Sequence, residues 1–390
     1  MRSSKTSRIH GLDTLRSFAI ILVLVYHYMV VVSGKNTFGF MTGIGWTGVD
    51  LFFVLSGYLI GNQIMAAIAQ NREFSLKTFY VRRLLRTLPN YYVILALYFL
   101  FPTALSGDAT APLWQFLSFT QNLDMRPGET FTHSWSLCIE EQFYLILPAT
   151  ALLFAYTKKS VSWAWCALGV AMACGVAMRA WEWMEHGDNA ITVHDYYQHI
   201  YYSSFTRFDE LLPGVAIAMF KNFHPTSYDK ILRRGDLLSA AGLLAVGVMF
   251  YLLSVYLQAA DDSYNFWLAT FGFSLLAVSF ALLTLSALSP NSVLNRIKIP
   301  GAASLALWSY AIYLAHKPIY RLAMRLLKKW HISVDSMLGI GLIMLASLIG
   351  GYLLYRLAEM PFMRLRDRLY SPESGRAEHR LGLSTQHNIP

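Results

Sequence analysis

The chain has 390 residues, of which 55% are apolar and only 14% charged, and its formal net charge is +9. That balance excludes a water-soluble domain of this length and marks an integral membrane protein. The basic residues fall mainly in alternate short loops, a pattern that membrane topology explains better than a nucleic-acid surface does, so no nucleic-acid partner is expected.

The N-terminus sets Arg2, Lys5 and Arg8 ahead of an apolar run, as a signal peptide would. The run is too long and lacks an A-x-A site, so we read it as a retained first span. Ten apolar runs are expected to cross the bilayer as helices: 13–33, 46–68, 87–105, 137–156, 161–182, 203–221, 236–257, 264–287, 302–322 and 336–358. With both termini cytoplasmic, the inner loops collect Arg72, Lys77, Lys158, Lys159, Lys230, Arg233, Arg234, Arg296 and Lys298. The outer loops hold Asp108, Asp124, Glu129, Glu182, Glu185, Asp188, Asp195, Asp261 and Asp262. This obeys the positive-inside rule. One run disobeys it: Arg321, Arg325, Lys328 and Lys329 follow the ninth span on the outer side, with the spacing of an interfacial amphipathic helix. Cys138, Cys166 and Cys174 all lie in apolar segments without metal-binding spacing and read as small packing residues, not a disulfide. Two outer loops are long, 106–136 and 183–202, the second rich in His, Asp and Tyr. The segment 371–390 is polar and expected to be a disordered cytoplasmic tail.

Within the first span, Arg16 and His27 are eleven residues apart. At about 100° per residue they return to within roughly 20° of one face, separated by about 16 Å along the helix. Ionisable groups in a membrane helix usually face the bundle or a wet cavity; the competing reading is an arginine at the headgroups and a packed neutral histidine. The second span opens with Asp50 at a depth similar to that of His27, where a carboxylate can orient the imidazole or hold its proton. Gly57 and Gly61 have the G-x-x-x-G spacing of close helix packing. In the next segment Arg82, Arg83 and Arg86 stand at helical spacings that let three guanidinium groups converge, a set suited to phosphates or to anionic lipid. Glu140 and Glu141 are adjacent, so a helix sends them to different faces. Glu140 is taken to face the cavity. Arg207 lies beside Asp209 and Glu210, and His316 sits about as deep as His27, two residues before a Pro318 that should kink its helix.

Five blocks in order resemble the acyltransferase 3 family of bacterial membrane O-acyltransferases over nearly the whole chain. They are Arg16-x10-His27, the run Gly48-Val-Asp-Leu-Phe-Phe-Val-Leu-Ser-Gly-Tyr-Leu-Ile60, Arg82-Arg-x-x-Arg86, Trp135-Ser-Leu-x-x-Glu-Glu-Gln-Phe-Tyr-Leu145, and Ser309-Tyr-x-x-Tyr-Leu-x-His-x-Pro-Ile319. The Arg207 segment departs from the family pattern at Glu210 and Pro213. The resemblance implies an all-α membrane domain over 1–370, in a stand-alone form without a fused esterase-like domain, in the bacterial inner membrane. It implies transfer of an acyl group, usually acetyl, from cytoplasmic acyl-CoA to a hydroxyl of an extracytoplasmic carbohydrate, with no metal. Lipid, peptidoglycan and small metabolites are alternative acceptors, and a proton-coupled transporter is the alternative of another class. On this reading His27 is the general base, or carries the acyl group itself, with Asp50 or Glu140 as its partner. Arg16, Arg82, Arg83 and Arg86 hold the CoA phosphates. Trp135, Glu141, Tyr144, Arg207 and His316 serve the acceptor.

Overall fold

A computed structural model describes residues 9–105, 107, 111–187, 191–257 and 264–370. The tail 371–390 and the acidic loop residues Asp108, Asp188, Asp261 and Asp262 lie outside this range. Every regular element among the described residues is helical. The ten that have twelve residues or more are α1 (His10–Tyr28), α2 (Gly48–Ala69), α3 (Leu76–Leu100), α4 (Trp135–Tyr156), α5 (Val161–His186), α6 (Leu212–Phe223), α7 (Gly235–Tyr256), α8 (Phe273–Leu288), α9 (Ala302–Lys329) and α10 (Met337–Leu354).

Seven helical stretches, built on α1, α2, α4, α5, α7, α8 and α10, are long and apolar enough to cross a membrane. The other three depart from that pattern for different reasons. α3 starts eleven residues before the expected third span, inside the basic segment, where Ser75 caps it by accepting from the Thr78 amide. α6 has twelve residues, about 18 Å of rise against a hydrocarbon core of about 30 Å. It is preceded by a turn of helix, Ser204–Arg207, and a 3-10 turn, Phe208–Leu211, so the expected sixth span is a broken one. α9 runs on through Pro318 to Lys329 without interruption. The basic run after the expected ninth span is therefore the end of that same helix and not a separate interfacial one.

The central helices are α1, α2, α8 and α9. In the best apolar stretches of α2 and α8 61% of residues are buried, against 6% in α5, which faces outward. α1 is tied to α9 at two levels: the Ser17 hydroxyl donates to the Ala302 carbonyl at 2.7 Å, and the Tyr320 hydroxyl to the Leu24 carbonyl at 2.9 Å. α2 meets α6 through glycines. A β-carbon at Gly57 would collide with the Leu211 carbonyl oxygen, and one at Gly214 with the Val54 carbonyl oxygen. At Gly61 the nearest neighbour, the Ala218 β-carbon, would be 3.2 Å away. The expected close packing at Gly57 and Gly61 is thus real, and much tighter at Gly57.

A buried charge pair locks α5 to the broken helix. Arg179 is fully buried, and its guanidinium donates to both Asp209 carboxylate oxygens at 2.7 and 2.9 Å and to the Thr270 carbonyl at 2.7 Å. Inserting a methyl group into packed backbone costs about 1–3 kcal/mol. Gly57→Ala is therefore expected to lower the melting temperature in detergent well below that of Gly61→Ala; equal melting of the two variants would contradict the packing described.

Candidate active site

Helix α1 carries Arg16 and His27 into two different cavities. At the arginine end, a cavity of about 170 Å³ is lined by Arg16, Arg83, Arg86, Ser56, Glu140 and Tyr144, with Ser309, Tyr310 and Tyr313 from α9. Arg83 lies over the Tyr144 ring at 3.8 Å from its centroid and stands 3.8 Å from Glu140 and 3.7 Å from Glu141. Glu140 accepts from the Ser56 hydroxyl at 3.2 Å and the Tyr144 hydroxyl at 2.9 Å. Arg16 donates to the Ser309 hydroxyl at 3.5 Å. Arg86 makes no ion pair or side-chain hydrogen bond with a described residue. Arg83 is thus matched by two carboxylates, whereas Arg16 and Arg86 have no ion pair with a described residue and could hold an anion. Arg82, expected to converge with them, is exposed and turns away. The α3 arginines face the cavity at i,i+3 instead of i,i+4.

At the opposite end of the bundle, a cavity of about 350 Å³ is lined by His27, His133, Lys317, Arg321 and Glu129 among aromatic rings that include Trp46, Trp135 and Tyr201. Val49 and Tyr313 line both cavities and form the partition between them. The Tyr313 hydroxyl is held there by Ser136 at 2.7 Å and by the His133 carbonyl at 2.5 Å.

Hydrogen-bond chemistry fixes the tautomers of the three histidines at this end. His316 Nδ1 faces the Tyr313 carbonyl oxygen at 2.6 Å and that of Ile312 at 3.3 Å. Carbonyls only accept, so Nδ1 carries the proton and Nε2 offers a lone pair. That lone pair faces His27 Nδ1 at 3.0 Å. His27 Nδ1 also faces its own Val23 carbonyl at 3.1 Å, so it must be the donor. The unprotonated nitrogen of His27 is then Nε2, on a ring that lines the cavity. His316, expected to touch substrate, is fully buried behind His27 and positions it. His133, which the sequence reading passed over, donates from Nε2 to the Leu314 carbonyl at 3.1 Å and leaves a buried Nδ1 without a partner. Its sequence signal was its place next to Ser134-Trp135.

Neither expected carboxylate partner meets His27. Asp50 accepts from Arg207 at 3.0 Å, and Arg207 also holds Glu210 and donates to the Tyr201 carbonyl at 3.1 Å. Asp50, Arg207 and Glu210 are all fully buried, and the guanidinium lies 3.9–5.0 Å from the ring centroids of Phe273, Tyr201 and Trp135. Arg207 thus lines neither cavity, and it braces the aromatic wall from behind. Glu140 and Tyr144 belong to the arginine cavity. Glu141 reaches toward Arg83, and Trp135 alone of the expected acceptor set stands on the histidine cavity's wall.

One group of metal-ligating side chains comes together among the described residues, outside both cavities. The Glu182, His186 and His199 ligand atoms lie within 4.8 Å of one another. The two imidazoles stack at 3.7 Å, and Glu182 stands 3.3 and 3.7 Å from their Nδ1 atoms. This clip ties the end of α5 to the π turn Tyr196–Tyr201, whose tyrosines reach the histidine cavity.

A family model described as an acyltransferase domain matches residues 9–356. The peptidoglycan O-acetyltransferase OatA of Listeria monocytogenes is 29% identical over 82% of this chain and 51% of its own length. The O-acetyltransferase OatA of Staphylococcus aureus is 27% identical over 79% of this chain and 50% of its own. The chain thus spans about half the length of these curated relatives. No solved structure matches it.

Removing the cation from a buried cluster strands its carboxylates, at a cost of about 3–5 kcal/mol. Arg207→Met should therefore unfold far below the wild type in a thermal melt, whereas His316→Gln should melt near it; a stable but inactive Arg207→Met would return Arg207 to substrate binding. Burial, and then the neighbouring His186, lowers the His199 pKa below the ordinary value of 6.5, against the pull of Glu182, Asp195 and Asp124. The 193–202 segment is then most stable above that value and loosens as the pH falls through it. Hydrogen exchange there, corrected for intrinsic rates, should speed up from pH 7.5 to pH 5, and His199→Gln should flatten the profile.

Proposed function

The chain belongs to this acyltransferase family, and from that premise we propose that it moves an acetyl group from cytoplasmic acetyl-CoA to a hydroxyl of a cell-surface carbohydrate across the bacterial inner membrane. Peptidoglycan is the acceptor favoured by the name of the Listeria relative. The single observation that carries the mechanism is the His316–His27 hydrogen bond, which leaves His27 Nε2 unprotonated on the wall of a cavity at the far end from the arginines.

On this reading α1, α2, α4, α5, α7, α8 and α10 span the bilayer together with α3, the broken α6 and α9, which makes ten. Both termini are cytoplasmic, and so is the arginine cavity, because the basic loops lie at that end. The CoA phosphates bind to Arg16, Arg83 and Arg86 by charge-assisted bonds. The pantetheine arm then passes the partition at Val49 and Tyr313. The distance from Arg16 to His27, about 16 Å along α1, is comparable to the reach of that arm.

The acceptor hydroxyl approaches His27 from the other cavity. Its oxygen attacks the thioester carbonyl carbon while its proton moves to His27 Nε2. The imidazolium is stabilised by His316 Nε2, which accepts the Nδ1 proton's hydrogen bond. The carbon–sulfur bond breaks, and the departing thiolate takes the proton from His27, so the ring ends as it began. Transfer of the acetyl group to His27 Nε2 first, and to the hydroxyl second, uses the same nitrogen.

Positioned general-base catalysis contributes about 10²–10⁴-fold. His27→Ala should lose at least that factor in incorporation of labelled acetyl into glycan, at unchanged expression; wild-type incorporation would end the proposal. A charged hydrogen bond is worth about 1.5–3 kcal/mol. Arg83→Ala and Arg86→Ala should then raise the KM for acetyl-CoA by about 10–100-fold with a smaller effect on kcat. Arg82→Ala should behave as wild type.

A further inference from the structure

The basic run that breaks the positive-inside rule begins in the histidine cavity. Lys317 and Arg321 are one turn apart on α9 and both line the wall, alongside His27 and His133. Neither makes an ion pair with a described residue, and Arg321 Nη1 is buried with no hydrogen-bond partner. Among the described residues, Glu129 is the one carboxylate in that wall. The unpartnered Nδ1 of His133 faces the opposite deficit. Its Nε2 carries the proton, so Nδ1 is an acceptor that lacks a donor.

Two half-buried basic side chains a turn apart, and a buried acceptor near them, are each unfavourable unless something supplies what they lack. Water can serve the hydroxyl-sized deficit at His133. It cannot neutralise the paired cations. A molecule that offsets all three carries a negative group and a hydroxyl a few atoms apart. The aromatic wall completes the fit, because rings such as Trp46, Tyr98 and Trp135 pack against the apolar faces of sugar rings.

We propose that this cavity selects an anionic sugar: Lys317 and Arg321 bind a carboxylate or phosphate of the acceptor, and His133 Nδ1 accepts a hydrogen bond from one of its hydroxyls. The proposal rests on the reading above in that it takes this cavity to be the acceptor's. It narrows that reading, since a neutral glucan or a simple alcohol leaves the cations uncompensated. The same contacts orient the sugar, so that a second hydroxyl points to His27 Nε2.

Binding can be followed without turnover by quenching of tryptophan fluorescence, since Trp46 and Trp135 line the cavity. The probes are two anionic disaccharides, one containing muramic acid from peptidoglycan and one containing glucuronate, each paired with its own primary amide. The protein is the full chain in nanodiscs. At least one acid should bind ten-fold or more tightly than its amide, with the gap closing as salt is raised. In Lys317→Gln/Arg321→Gln the gap should fall below about three-fold while the affinity for the amide is kept, which also reports that the variant is folded. His133→Phe should weaken acid and amide alike.

Equal binding of each acid and its amide by the wild type overturns the proposal, whether or not the variants fold. So does a gap that survives in the double variant. Acetyl transfer from labelled acetyl-CoA is measured on the same preparation. A preserved acid–amide gap without any transfer would defeat the catalytic reading and leave the anion site standing. Transfer to acid and amide with equal efficiency would do the reverse.

Discussion

A guanidinium with no access to water holds the middle of this bundle together. Arg207 draws Asp50 from the start of α2, Glu210 from the turn before α6, and three aromatic rings into one cluster. Stripping a charge of its hydration is so costly that such a residue must find its partners in the protein. The neighbouring pair of Arg179 and Asp209 repeats the device one layer outward, against α5 and α8. Together they explain why the helix is broken ahead of α6. Backbone and side chains near 204–211 are committed to two ion clusters, and a straight helix through that stretch would not deliver Asp209 and Glu210 to different arginines.

That rigid centre backs one wall of the histidine cavity. Trp135 and Tyr201 are fixed from behind by the same guanidinium, so the cavity has one stiff side. The facing side is α9, which presents Tyr313, Lys317 and Arg321 and sets His316 behind His27. Chemistry is divided accordingly. One end of α1 sits among arginines and glutamates, and the other among imidazoles whose proton positions are dictated by carbonyl oxygens. Between them stand only Val49 and a tyrosine held by two hydrogen bonds.

Much of this was legible in the sequence because a membrane makes polar residues conspicuous. The eleven-residue interval from Arg16 to His27 gave their shared stripe, and the arginine segment gave Arg83 and Arg86. The glycine spacing in α2 pointed to a close helix contact, and the structure supplies α6 as its partner. What sequence could not give was which polar residues pair with each other. Asp50 and His27 lie at matching depths, yet depth says nothing about rotation, and Asp50 turns to Arg207. Arg82 and Arg83 are neighbours in sequence and about 100° apart on a helix, so one of them had to leave the cavity. His133 and Arg179 were overlooked for a related reason. Each is a single polar residue whose partners are main-chain oxygens or distant carboxylates, and neither kind of partner leaves a local pattern. The basic run after Pro318 has the spacing of a separate helix because charge usually ends a span, whereas here α9 simply continues.

The uninterrupted course of α9 has a mechanical consequence. One continuous rod carries Ser309 and Tyr310 in one chamber, Tyr313 in the dividing wall, and Lys317 and Arg321 in the other, over twelve residues or about 18 Å. A small axial slip or roll of that rod would reshape both chambers and the wall at the same instant. A change in one chamber would then be felt in the other with no relay in between, because the two share a shaft.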